Sequence, residues 1–444
     1  MCHMKLAQAF LANLVLAGTA IAAPAGSSVA SALAAGSTFP YAPEIPNHVL
    51  WSPSAGIDPQ PVRDGLGASP VLGPQNVPVD LQNPDLLAPP STDAGSVQVP
   101  VSGNAKWPFS LSHNRLQTGG WARQENMKIM PIATEMAGVN MRLEAGAIRE
   151  LHWHTTAEWA YVLKGGMNVA IVNSEGQNYY DTISQGDLWY FPPGVPHVLQ
   201  ATADLPEGAE FLLVFDSGEF SEDSTFSITD WLSHVPKEVI AKNFQLSVED
   251  FAQLPGKELY IFPSDPLSKD TVAPKSAAGV APLPYTFRAS QLTPTPLAGG
   301  SVKIIDSSNF KISQTIAAAE VTVEPGAIRE LHWHPSEDEW SYFLCGTGRI
   351  TLFASSGNAQ TFNFQPGDIG YVPASYGHYV ENTGNTTLRF LEIFKSGTYK
   401  FEDVSLGQWL ALIPPELVKA HLQVNDEVIA KLNTTKVTVT APRH

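Results

Sequence analysis

A nine-residue string, Gly-Ala-Ile-Arg-Glu-Leu-His-Trp-His, occurs at 146–154 and again, unchanged, at 326–334. The correspondence continues downstream in the same order. Glu158-Trp159 matches Glu339-Trp340, Gly165 matches Gly346, Gly186-Asp187 matches Gly367-Asp368, Pro192 matches Pro373 and His197 matches His378. Near the ends of the two halves, Trp231-Leu232 matches Trp409-Leu410, and the helix-like stretches 236–244 and 415–422 follow. Such a repeat is a tandem duplication, so the chain must fold as two similar units. Within each unit, short β-rich runs such as 166–172 and 349–353 alternate with turn clusters such as Ser356-Gly357-Asn358. Many short strands at this spacing predict an all-β sandwich or barrel, here with a short helical tail on each copy. The 444 residues suffice for two domains with full cores.

The rest of the chain is organised around that repeat. Residues 1–23 read as a secretory signal: Lys5 supplies the charge, 6–23 holds no ionisable residue, and Ala20, Ala22 and Ala23 offer a small-residue cleavage site before Pro24. This run is too Ala-rich and too interrupted, by Gln8 and Asn13, to span a bilayer. The expectation is a secreted protein with no membrane association after signal removal. Residues 24–103 form a Pro-rich arm holding 14 of the 36 prolines, expected to be extended or partly disordered. The first β unit is placed at 104–264, a linker at 265–284 and the second unit at 285–444. Sequons stand at Asn385 and Asn433. Once Cys2 leaves with the signal, Cys345 is expected to stand alone as a buried small hydrophobe. The net charge of −17, with 26 basic against 43 acidic residues, argues against nucleic acid as a partner, because that needs a basic face.

Chemistry concentrates in the repeat. His152, His154, Glu158 and His197 recur as His332, His334, Glu339 and His378, taking six of the 12 histidines. On a strand, residues two apart share a face, so both histidines of a His-x-His pair enter one cavity. The glutamate begins the next strand, and the last histidine arrives after a Pro-containing turn. Three imidazoles and a carboxylate fill four positions of an octahedron and leave two open; such a set suits Mn, Fe, Ni, Cu or Zn. The other six histidines, at 3, 48, 113, 234, 421 and 444, have no such context.

These residues resemble the cupin superfamily. Stretches 146–165 and 326–346 fit its first motif, G-x5-H-x-H-x3,4-E-x6-G. Stretches 186–197 and 367–378 fit its second, with Ala201 in place of the final Asn in the first copy and Ser375 in place of a turn Gly in the second. The resemblance implies two tandem cupin (double-stranded β-helix, jelly-roll) barrels. Over about 104–430 the chain further resembles the bicupin oxalate decarboxylases, through Arg-Glu-Leu-His-Trp-His at each site and the lid-like Phe220-Ser221-Glu222-Asp223-Ser224-Thr225-Phe226. Asp223 stands where that family usually has Asn. The resemblance implies oxalate as substrate, formate and carbon dioxide as products, two Mn(II) per chain, dioxygen as a cofactor not consumed, and a trimer-based homo-oligomer. It assigns Glu222 as the lid acid–base, Arg149 as the group polarising metal-bound oxalate, and Glu392 and Arg329 as the carboxylate and the arginine at the second site. Splitting oxalate needs local positive charge and one carboxyl group that takes and returns a proton. Strand parity alone points Arg149 away from His152, so reaching the cavity requires a twist or bulge. Two other functions fit parts of the pattern: an oxalate oxidase giving carbon dioxide and hydrogen peroxide, and a non-enzymatic metal-binding bicupin of the storage type. Trp153, Trp189 and Trp333 are expected to wall cavities or pack between domains.

Overall fold

The computed structural model describes residues 104–355, 359–399 and 403–442, together with a backbone strand pair in the arm, Val49–Ser52 against Gly56–Pro61. The proposed signal and the rest of the arm lie outside the described residues.

Alternation along the strands builds two barrels, each from a six-stranded and a seven-stranded antiparallel sheet. Strands Ala137–Leu143 and Ala209–Phe215 are buried at every residue because both their faces are covered. Val139, Met141, Phe211 and Leu213 fill the first barrel, whereas Leu212 and Val214 pack toward the second. Ala317, Ala319, Phe390 and Phe394 fill the second barrel, and Ile316, Ala318, Leu391 and Ile393 turn back toward the first. The shared layer centres on the fully buried Trp159, Trp340, Phe109 and Tyr342. Burying a side chain of that size contributes roughly 1.5–3 kcal/mol, so this layer holds the two barrels together.

The barrels also exchange strands. Lys106–Pro108, ahead of the first barrel, pairs with Asp368–Gly370 in the second. Thr286–Phe287, ahead of the second, pairs with Leu188 and Trp189 in the first. The fully buried Lys106 Nζ lies 3.1 Å from the fully buried Asp368. Each barrel is thus completed by a segment that the sequence assigns to the other half.

The helical tails form as expected: Ile228–Ser233 and Lys237–Phe244 follow the first barrel, and Leu406–Leu412 and Pro415–Leu422 follow the second. Cys345 departs from its expectation. It is half-buried, with its Sγ 3.7 Å from the Thr387 carbonyl oxygen, and Cys2 lies outside the described residues.

Candidate metal centres

Strand Ile148–Trp153 carries His152 and runs beside His197–Ala201, with His197 directly opposite His152. Two residues on, Leu199 faces Arg149 rather than Glu150. Three steps along one strand therefore match two along its partner, which is a β-bulge at Glu150 and Leu151. The bulge reverses the parity that would turn Arg149 outward: Arg149 is buried while Leu151 is exposed. Strand Ile328–Trp333 repeats this, with Arg329 opposite Val380 and His332 opposite His378.

The four expected ligands of each barrel converge. In His152, His154, Glu158 and His197, and in His332, His334, Glu339 and His378, one ligand atom per residue lies within 4.8 Å of the others, and all eight residues are buried. The second copy has one more residue between its last two ligands on this side, yet Glu339 takes the place of Glu158. Asp338 absorbs the extra residue by accepting from Tyr371 Oη at 2.6 Å and from the Ala374 amide at 2.8 Å. Ser375 adopts φ +69°, matching Gly194 at +76°; each donates its amide to the second histidine of its His-x-His pair, at 2.6 and 2.9 Å. The αL turn survives the Gly-to-Ser exchange because this amide contact is kept.

The hydrogen-bond pattern shows what the imidazoles are prepared for. Nδ1 of His152, His154, His197, His332 and His378 each contacts a backbone carbonyl at 2.6–3.0 Å. A carbonyl only accepts, so each Nδ1 carries the proton and each Nε2 presents a lone pair. His152 Nε2 and His197 Nε2 then face each other at 3.0 Å, and His154 Nε2 faces Glu158 Oε2 at 3.0 Å. His332 Nε2 and His378 Nε2 are buried without a hydrogen-bond partner. Converging lone pairs and a carboxylate in a dry pocket repel one another unless a cation sits among them, so both clusters fit a divalent metal. Burial, reinforced by Arg149 and Arg329, keeps His152 and His332 neutral well below the usual imidazole range.

Each ligand carboxylate is oriented by a different donor. Trp189 Nε1 donates to Glu158 Oε1 at 2.7 Å, whereas the Ser341 hydroxyl donates to Glu339 Oε1. Trp189 therefore does more than wall the cavity. Trp153 stacks on Phe226 and meets Trp231 edge-on, and Trp333 meets Trp409 edge-on, outside the ligand clusters.

Around Arg149 the first site assembles a buried hydrogen-bonded cluster. Glu222 opens a short 3-10 turn capped by Ser221 and is only 6% exposed. Its Oε2 accepts from Arg149 at 3.2 Å and from Tyr260 Oη at 2.8 Å, and its amide donates to Gln124 Oε1 at 2.9 Å. The metal strand anchors both segments: Phe226 and Ser227 pair with Trp153 and His152, while Ile261 and Phe262 pair with Arg149 and Ile148. Arg149 lies 4.2 Å from the Tyr260 ring centroid, and its Nε has no hydrogen-bond partner. Burial, then the charge of Glu222, drives the Tyr260 phenol well above its usual value, so it remains a donor. Nothing in the local sequence pattern marks Tyr260.

The second site is built differently. Arg329 is gripped by two buried carboxylates, Glu392 at 3.2 Å and Asp403 at 2.5 Å, and Lys436 also binds Asp403. Glu392 Oε2 accepts from Tyr399 Oη at 2.6 Å. Burial raises the Glu392 carboxyl, with Arg329 opposing. Arg389, three residues before Glu392, pairs with Glu320 at 3.2 Å instead.

The cupin family matches residues 112–251 and again 291–430. Oxalate decarboxylase OxdC of Bacillus subtilis is 53% identical over 380 residues, covering 85% of this chain and 96% of that protein. A probable oxalate decarboxylase of Arthroderma benhamiae is 40% identical over 389 residues, covering 86% of this chain and 94% of its own. A solved structure of the Bacillus subtilis enzyme, studied for its Mn(II) centres, superposes with a TM-score of 0.75 at 50% identity, covering 87% of this chain and all of that one.

Proposed function

Because the chain belongs to the cupin family and, within it, to the bicupin oxalate decarboxylases, we propose that it splits oxalate into formate and carbon dioxide at its first barrel, with Glu222 as acid–base and Arg149 as the group that holds the substrate. The observation that carries this reading is the closed lid, with Glu222 and Arg149 in contact beside a four-ligand cluster. Two Mn(II) per chain would be held by His152, His154, Glu158 and His197, and by His332, His334, Glu339 and His378. When bound, the metal together with dioxygen supplies the reversible one-electron withdrawal that weakens the carbon–carbon bond.

The chain's own residues supply the rest. Arg149 has one carboxylate partner and a free Nε, so it offers donors to a substrate carboxylate, for which planar guanidinium geometry is suited. Glu222 takes the proton from the hydrogen oxalate carboxyl. After carbon dioxide leaves, Glu222 returns that proton to the remaining carbon, so one hydrogen oxalate gives one formate and one carbon dioxide. Tyr260 keeps the carboxylate oriented between the two transfers. Gln124 and Ser221 hold the turn that carries Glu222, and their opening admits substrate. Arg329 has both neighbouring carboxylates already upon it, which suits the second centre to holding its barrel together.

A helical face corresponds in the two barrels. Trp231, Val239 and Phe244 in the first, and Trp409, Leu417 and Leu422 in the second, expose about half of their surface. Matching apolar patches on one chain favour self-association, and the trimer-based homo-oligomer rests on the family resemblance. Secretion rests on the character of residues 1–23; among the described residues, no helix is long and apolar enough to cross a membrane. Substituting Glu222→Gln in metal-quantified protein tests the assignment. Formate production is expected to fall by about 10²–10⁴-fold with both metals retained; unchanged formate production rejects the role of Glu222.

A further inference from the structure

The layer between the barrels is built from corresponding positions, and its two copies differ at one end. In the first barrel, Arg123 Nε donates to Asn140 Oδ1 at 2.9 Å, and Asn140 Nδ2 donates to Glu210 Oε1 at 3.1 Å. The fully buried Phe109 covers this chain: its ring centroid lies 5.9 Å from the Arg123 guanidinium and 6.1 Å from the Tyr342 ring. Strand register identifies the counterparts in the second barrel. Arg123 faces Asn140 as Lys303 faces Glu320, and Asn140 faces Leu212 as Glu320 faces Leu391. Arg142 faces Glu210 as Thr322 faces Arg389. Phe109 follows one exchanged strand, and Ala289, at the same point after the other, takes its place.

The charge sum is kept while its arrangement changes: two cations, Arg123 and Arg142, attend Glu210 in the first barrel, and two, Lys303 and Arg389, attend Glu320 in the second. A benzyl group becomes a methyl group, and next to it in the chain Ser290 borders a cavity of about 460 Å³, lined also by Tyr161, Leu163, Lys303, Leu344 and Arg389. Glu320 does not absorb the extra charge. Its Oε2 accepts from Tyr161 Oη at 3.0 Å, while Lys303 Nζ remains 3.7 Å away. Arg389 Nε is 3.2 Å from Oε1 but lacks hydrogen-bond alignment. Lys303 and Arg389 outnumber Glu320 in this partly desolvated cluster, where the surplus charge seeks a counter-ion.

We propose that this cavity binds a small organic monocarboxylate, its carboxylate on Arg389 and Lys303 and its apolar body against Leu163 and Leu344. A guanidinium presents two parallel donors that match a carboxylate. One negative charge neutralises the cluster, whereas two would overshoot it. The apolar walls favour an anion with a hydrocarbon body, and the volume lies within the range of small-ligand sites. None of the eight metal ligands lines the cavity, so the site is separate from the metal centres and does not rest on the proposed reaction.

The test is calorimetric titration of the metal-loaded enzyme with benzoate, using benzamide as the uncharged analogue. Saturable benzoate binding without benzamide binding is expected. Arg389→Gln should weaken benzoate at least about 10-fold, the usual consequence of losing a charged hydrogen bond. Ala289→Phe places a ring between Tyr161 and Lys303, as Phe109 stands between Tyr342 and Arg123, and should abolish binding. Formate production should be unchanged in both variants. If Ala289→Phe does not fold, Arg389→Gln alone decides. Absence of saturable binding, equal binding of benzamide, or unaltered benzoate affinity in Arg389→Gln overturns the proposal.

Discussion

Glu125 gives the sharpest stability prediction. It ends the strand Gly120–Glu125 and is completely buried where the barrels meet. Its Oε2 accepts from Trp340 Nε1 at 3.0 Å, and Oε1 has no hydrogen-bond partner. Burial pushes its carboxyl from 4.5 up to about 8, against the opposing hydrogen bonds from Trp340 and the Gly138 backbone. The folded form therefore holds this proton more tightly than the unfolded form. Stability from the neutral acid is complete below pH 4.5 and is lost as pH rises toward 8. Each pH unit in that window removes about 1.4 kcal/mol, so the whole window removes about 5 kcal/mol. Glu125→Gln keeps an acceptor for Trp340 and cannot ionise. Thermal unfolding followed by circular dichroism from pH 4.5 to 9 should show the two proteins alike at the acid end. At the alkaline end the variant should melt roughly 10 °C higher, at about 2–4 °C per kcal/mol. Parallel curves across the whole range would refute the reasoning. The net charge of −17 acts in the same direction, since protonating surface carboxylates at low pH relieves self-repulsion.

Three further outcomes follow from the geometry. Tyr260→Phe removes the 2.8 Å hydrogen bond to Glu222 and should lower kcat by about 10-fold or more, with the melting temperature close to that of the parent. His154→Ala and His334→Ala should each reduce bound metal by one equivalent per chain in elemental analysis, and only His154→Ala should abolish formate. Replacing Phe244 and Leu422 together by Glu puts charge on both exposed helical faces and should shift the protein toward monomer in analytical ultracentrifugation.

The two His/Glu clusters were legible because their spacing occurs twice, and because strand periodicity converts that spacing into a shared face. Glu222 stands out through the resemblance of 220–226, not through composition. Arg149 marks the limit of parity arguments: the bulge that aims it inward lies in the register of a partner strand nearly fifty residues away. Tyr260 is 38 residues beyond Glu222 and belongs to no motif. Trp189 was read as a wall because a tryptophan's hydrogen-bond partner cannot be inferred from sequence spacing. Asp403 and Lys436, which close on Arg329, come from the tail of the second barrel and meet it only in the folded chain. The exchanged strands Lys106–Pro108 and Thr286–Phe287 are three and two residues long, too short to carry a period.

The central claim is that this chain returns a proton to carbon rather than losing both carbons as carbon dioxide. Product stoichiometry on metal-quantified protein tests it directly, with formate, carbon dioxide and hydrogen peroxide measured in one reaction. The account predicts one formate and one carbon dioxide per oxalate consumed. Two carbon dioxide with hydrogen peroxide, and no formate, would contradict it.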